Sequence, residues 1–180
     1  MPPLPDHFAT FSLARAPWLE AEELKARFFA LSAERHPDAG GAAGAFTELN
    51  AAWQTLRDPA ARLRHFLELE HPEVLPLAAA TPSELGDLFM EVAGARQAAQ
   101  QFSARLAAVT SPLARSLLEP ERLAVQARVD AAAAELQAPL SEARARLAGG
   151  EREPSELARL LGRMVYLGKW AGQLGETGVA

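Results

Sequence analysis

The 180-residue chain contains no cysteine. That absence removes disulfides, thiolate nucleophiles, thiolate-held iron–sulfur clusters and cysteine zinc sites, and it leaves His, Asp and Glu as the side chains that could hold a metal. Positive charge is in short supply as well. The 18 Lys and Arg are outnumbered by 23 Asp and Glu, giving a net charge of −5. No basic cluster of the kind that neutralises phosphates interrupts this balance, so nucleic acid is not an expected partner. Long apolar runs are missing too: no stretch nears the length that crosses a bilayer, and MPPLPDHF has neither the basic start nor the apolar run of a secretory signal. We therefore expect a soluble, cytoplasmic protein with no membrane contact. Sustained apolar/polar alternation is lacking, which argues against β-strands.

What remains is a chain with 49% hydrophobic residues, enough for a real core, recurring at spacings of three and four. The reading is all-α. A short first helix over about residues 7–13 carries Phe8 and Phe11 and stops at Ala16-Pro17. A second, over about 19–35, places Leu24, Phe28 and Leu31 on one stripe. A third, AFTELNAAWQTLRDP, aligns Phe46, Leu49, Trp53 and Leu56, so the two should pair as an antiparallel hairpin. Asp58-Pro59 reads as an N-cap followed by proline at the first helical position, opening a fourth helix with Leu63, Phe66 and Leu67. Prolines then crowd HPEVLPLAAATP, which reads as a linker.

Beyond the linker, Thr81-Pro82-Ser83-Glu84 has the form of a capping box, and a long helix should carry Leu85, Leu88, Phe89, Val92, Ala99, Phe102 and Leu106. Ser111-Pro112 and Glu119-Pro120 interrupt the pattern. A second long helix carries Leu123, Val129, Leu136, Leu140 and Leu147, with a kink or break expected at Pro139. After Gly149-Gly150 a last helix repeats Leu157, Leu160, Met164, Leu167, Ala171 and Leu174, matching a bundle seam. The expected organisation is an N-terminal unit at 1–72, a linker at 73–82 and a C-terminal three-helix bundle at 83–180.

The second helix ends in SAERHPDAGG. Proline and aspartate suit a helix stop, but the histidine is left without a reason. Ordinary residue frequencies place His-Pro-Asp in a chain of this length roughly once in a hundred sequences, and far more rarely between two helices that pair. At this position the chain resembles the J-domain, the module with which co-chaperones engage DnaK-family ATPases. The resemblance covers the whole N-terminal unit in the family's order of helices. LNAAWQTLRDPAARLRHFLEL, residues 49–69, narrows it to the HscB family of co-chaperones in iron–sulfur cluster assembly, where an N-x-A-W-x-T-L-x-x-P stretch recurs; Asn50, Ala52, Trp53, Thr55, Leu56 and Pro59 match. LFMEV at 88–92 and MVYLGKW at 164–170 resemble the first and last helices of that family's C-terminal bundle.

The resemblance implies a protein that is not itself an enzyme and needs no cofactor. It would dock on a DnaK/HscA-type ATPase through His36, Pro37 and Asp38, assisted by the basic side chains Lys25, Arg27 and Arg35, and would speed ATP hydrolysis there. An apolar patch of Leu88, Phe89, Met90, Tyr166 and Leu167 would hold an iron–sulfur cluster scaffold protein. Two departures are visible. Glu20, Glu22, Glu23 and Glu34 balance the basic residues of the second helix, and Gly94, Gln97 and Gln101 stand where the family often has acidic side chains. Two other readings fit the same residues: a general J-domain co-chaperone with an unrelated client, and a structural helical-bundle adaptor in which HPD is coincidental. His7, His65 and His71 have no ligand spacing, and AGGAAG lacks the lysine and hydroxyl of a phosphate loop, so neither a metal nor a nucleotide site is expected.

Overall fold

The computed structural model describes residues 4–35, 43–80 and 82–177, and among these there is no strand. The described residues form ten α-helices and two 3-10 turns: α1 His7–Thr10, α2 Ala21–Arg35, α3 Ala43–Arg57, α4 Pro59–Glu70, a turn Pro72–Val74, α5 Leu75–Ala79, a turn Ser83–Leu85, α6 Gly86–Ala108, α7 Pro112–Leu117, α8 Glu119–Glu135, α9 Gln137–Ala148 and α10 Pro154–Gly175. The all-α expectation holds. None of these helices is long and apolar enough to cross a membrane. The chain gathers into two compact units, one from residues 1–80 with 144–162, the other from 81–143 with 163–180.

In the first unit α1 and α2 both pack against α3, and α3 against α4. Phe8, Phe11, Leu24, Leu49, Ala52 and Leu56 form the buried core, with Phe28, Leu31, Trp53 and Phe66 packed around it. The stripes expected from spacing are the ones that meet: the rings of Phe28 and Trp53 stack with centroids 4.6 Å apart. Caps set the helix starts. Asp6 Oδ1 accepts from the amides of Phe8 and Ala9 at 3.0 and 3.1 Å, and Asp58 Oδ1 accepts from Ala61 N at 2.7 Å, satisfying amides that have no partner inside their helices. α1 ends sooner than the apolar spacing suggests, because Ser12 takes φ +52° and turns the chain.

One charged side chain is buried here. Arg62 donates to the carbonyls of Leu56 and Pro17 at 2.9 and 3.3 Å and lies 5.4 Å from the centre of the Trp18 ring, tying the α3–α4 corner to the segment before α2. Burial pulls its pKa down, opposed by Asp58 and Glu20. The proline-rich stretch expected as a linker is helical in two short pieces, Pro72–Val74 and α5. Gly162 of α10 comes so close to this stretch that a Cβ would sit 2.9 Å from the Ala78 carbonyl oxygen. Leu157, Ala158, Leu160 and Leu161 are buried along the same part of α10.

In the second unit α6 packs along α8. The core is drawn from α6 (Val92, Ala95, Ala99, Phe102), α8 and the residue that follows it (Val129, Ala132, Leu136) and the later part of α10 (Leu167, Trp170, Leu174), the three-helix core expected of the bundle. Three details differ from expectation. The α-helical part of α6 starts at Gly86, after a 3-10 turn capped by Pro82 with no side-chain bond, and Thr81 of the expected capping box lies outside the described residues. The break foreseen at Pro139 falls at Leu136, which puts Pro139 in the first turn of α9, where its missing N–H leaves no bond unmade. Leu123 is exposed, because the buried face of this stretch runs through Val125, Val129, Ala132 and Leu136, and Leu123 lies off that stripe.

Candidate functional site

His36, Pro37 and Asp38 lie outside the described residues; α2 ends at Arg35, immediately before them, and α3 resumes at Ala43. The basic residues assigned to the same docking surface are described, and they divide by what they touch. Arg35 Nη2 donates to the Thr10 carbonyl at 3.3 Å, and Arg27 Nη1 lies 3.4 Å from the Phe11 carbonyl oxygen and 3.5 Å from that of Ser12. Both guanidinium groups therefore fasten the C-terminal end of α1 to α2, and Arg27 also pairs with Glu23 at 3.6 Å. Lys25 stays at the surface, 4.0 Å from Glu22. The acid–base balance seen in the sequence of α2 thus appears as neighbouring ion pairs, which leave little uncompensated positive charge on this helix.

Sequence spacing gave no sign of a second feature of this unit. His65 is buried, and its Nε2 accepts from the His7 amide at 3.2 Å, so this nitrogen is unprotonated and the proton sits on Nδ1. The two imidazole rings lie 4.6 Å apart, and the Phe8 ring stacks on His65 with centroids 5.7 Å apart. Burial depresses both histidine pKa values; for His65 the neighbouring His7 lowers it further, Asp6 pulls it upward, and Arg15 lowers it again. Arg15 bridges Asp6 at 2.8 Å and Glu70 at 2.6 Å over this junction. For Asp6, burial raises the pKa, but the Arg15 and amide hydrogen bonds outweigh it and hold the carboxyl below its ordinary value. The described residues contain no cluster of three His, Cys, Asp or Glu side chains able to hold a metal.

The apolar residues assigned to the scaffold patch are brought together in the second unit, at different depths. Met90 and Phe89 are exposed, 67% and 49%. Leu88 and Tyr166 are partly buried against the bundle core. Leu167 is fully buried within that core, which corrects its assignment to a contact surface: it supports the site from behind. Trp170, which the sequence reading did not single out, completes the arrangement, with ring centroids 5.7 Å from Phe89 and 6.1 Å from Tyr166. Its position one turn after Tyr166 and Leu167 was the available signal.

These side chains wall a groove of about 360 Å³ lined by Pro82, Leu85, Phe89, Tyr166, Lys169 and Trp170, among others. Such a concavity, apolar and edged by aromatic rings, is suited to receive a large apolar side chain from another molecule. Gly94, one turn beyond Met90, lies beneath α8: a Cβ there would come within 2.6 Å of Arg128 Nη2. The place where the family resemblance implies an acidic side chain is therefore crossed by a guanidinium.

No family model matches the chain. Among solved structures it is similar to the chaperone HscB from Vibrio cholerae, at 20% sequence identity, with 96% of each chain covered and a TM-score of 0.54. The fold of this chain is HscB-like over essentially its whole length.

Proposed function

We propose that this protein is a co-chaperone of the HscB type, which stimulates a DnaK/HscA-type ATPase through His36, Pro37 and Asp38 and presents to it an iron–sulfur cluster scaffold protein held on the second unit. The observation that carries the reading is the pairing of two independent facts: an HscB-like fold across 96% of the chain, and an HPD tripeptide in the segment that joins α2 to α3. The protein acts by binding rather than by chemistry of its own. Its role in iron–sulfur protein maturation is that of a cytoplasmic adaptor with two partners.

On the ATPase side, Asp38 supplies a carboxylate for a charge-assisted bond to an arginine, His36 a ring that can donate or accept, and Pro37 limits the freedom of both. Arg27 and Arg35 brace α2, the helix that precedes the tripeptide in sequence, against α1, while Lys25 is the basic side chain at the surface. On the scaffold side, Phe89 and Met90 are the exposed contacts, Tyr166 and Trp170 form the wall behind them, and Leu88 and Leu167 anchor that wall in the core. The test is titration calorimetry with a purified scaffold protein. Phe89→Ala combined with Tyr166→Ala should abolish binding while ATPase stimulation persists. Unchanged affinity in the folded double variant would remove the patch from the account. No affinity in the parent chain would turn the reading to a general J-domain co-chaperone with a different client.

A further inference from the structure

The groove of the second unit carries one charge among its walls. Lysine occurs at only two positions in the chain, and all other basic residues are arginine. Lys25 is paired with Glu22, whereas Lys169, exposed on α10 at the groove, has no carboxylate within ion-pair distance among the described residues. The nearest acid in sequence to the groove's other wall, Glu84, faces Arg163 at 3.9 Å. Asp87 and Glu91 stand one turn apart on α6, and neither they nor any other described carboxylate pairs with Lys169. Arg128 of α8 lies against Gly94, one turn beyond Met90 on α6, and it too has no ion pair among the described residues. Lys169 is thus the one charged side chain among the residues that line the groove, and no described carboxylate pairs with it.

We propose that this groove selects an acidic partner: a short segment that places an apolar side chain against Phe89, Tyr166 and Trp170 and a carboxylate on Lys169. This rests on the scaffold-binding reading of the same groove and adds the partner's charge to it. A single ammonium at the mouth of an apolar concavity cannot supply much affinity, since exposed ion pairs are weak, but it sets register and rejects a like charge at that position. Apolar burial holds the segment and Lys169 decides which segment is held.

The test uses the full chain and two synthetic peptides, acetyl-Leu-Phe-Glu-Leu-amide and acetyl-Leu-Phe-Lys-Leu-amide, followed through the Trp170 indole resonance in nuclear magnetic resonance titrations. At about 50 mM salt the glutamate peptide should bind roughly three- to fivefold more tightly than the lysine peptide, and the ratio should approach one near 0.5 M salt as screening removes the charge term. Lys169→Glu should invert the preference, and Lys169→Gln should erase it. Equal affinities in the parent, no perturbation of Trp170 by either peptide, or a preference that survives Lys169→Gln would each overturn the proposal. A parallel titration with the scaffold protein separates the two levels. If the parent fails to bind scaffold but retains the peptide preference, the identity of the partner falls and the groove's selectivity stands. If scaffold binds equally to parent and Lys169→Glu and the peptides show no preference, the groove's selectivity falls and the scaffold reading stands.

Discussion

Gly162 and Gly168 lie in one helix, α10, six residues apart, and the structure predicts opposite responses to the same substitution. A methyl group on Gly168 would meet nothing within 4 Å, so Gly168→Ala should only gain the helix propensity that glycine lacks, stabilising by about 0.5–1 kcal/mol. At Gly162 the same methyl would lie 2.9 Å from the Ala78 carbonyl oxygen and 3.5 Å from its carbonyl carbon and Cα. Those are backbone atoms of α5 and cannot rotate away, so the helix or α5 must shift. Overpacking of this kind costs about 1–3 kcal/mol, which cancels or exceeds the propensity gain. The two variants should therefore differ by roughly 1–3 kcal/mol, and at about 2–4 °C per kcal/mol for a chain of this size they should separate clearly in thermal denaturation followed by circular dichroism. If Gly162→Ala proves as stable as Gly168→Ala, α10 does not pass that close to Ala78 and the reasoning from their close approach fails.

Three further outcomes follow from particular side chains. Because His7 and His65 titrate below their ordinary value in the folded state, the stability they contribute is fully present above about pH 6.5 and is lost as pH falls below it towards the folded values. Melting temperature should decline between about pH 7 and 5, and His65→Gln, which cannot charge, should flatten that decline. Leu167→Ala, in the bundle core, should cost about 2–5 kcal/mol in urea unfolding, whereas Met90→Ala, at the surface, should stay within about 0.5 kcal/mol of the parent while weakening scaffold binding. Arg35→Ala should loosen the hold of α2 on the Thr10 carbonyl, raising amide exchange at the end of α1 more than Lys25→Ala does.

The fold was legible where apolar spacing and caps pointed the same way. Leu24, Phe28, Leu49, Trp53 and Leu56 announced the α2–α3 pair, and Asp58-Pro59 announced the start of α4. Val92, Phe102, Val129, Leu136 and Leu174 announced the bundle. Periodicity says which face of a helix is apolar but not what covers it. For that reason spacing alone groups the stretch 144–162 with the bundle, although its residues gather with the first unit. Leu167 is indistinguishable from a surface residue by sequence for the same reason: a three-four repeat that serves both a seam and a patch does not tell its core members from its outer ones. Trp170 and Lys169 were hidden by their distance in sequence from Phe89, some 80 residues, which only the packing of α10 near α6 closes. The His7–His65 contact likewise joins positions 58 apart through a backbone amide, and no side-chain pattern encodes it.

The central claim is that this chain drives a chaperone ATPase through its HPD tripeptide, and the most direct measurement is single-turnover ATP hydrolysis by a DnaK/HscA-type chaperone with subsaturating amounts of the full chain. The parent should accelerate hydrolysis. Asp38→Asn, losing a charge-assisted bond worth about 1.5–3 kcal/mol, should lower the apparent affinity for the chaperone by tens of fold with no change in melting temperature. Equal stimulation by the parent and Asp38→Asn, or none by the parent with any chaperone of this class, would contradict the account.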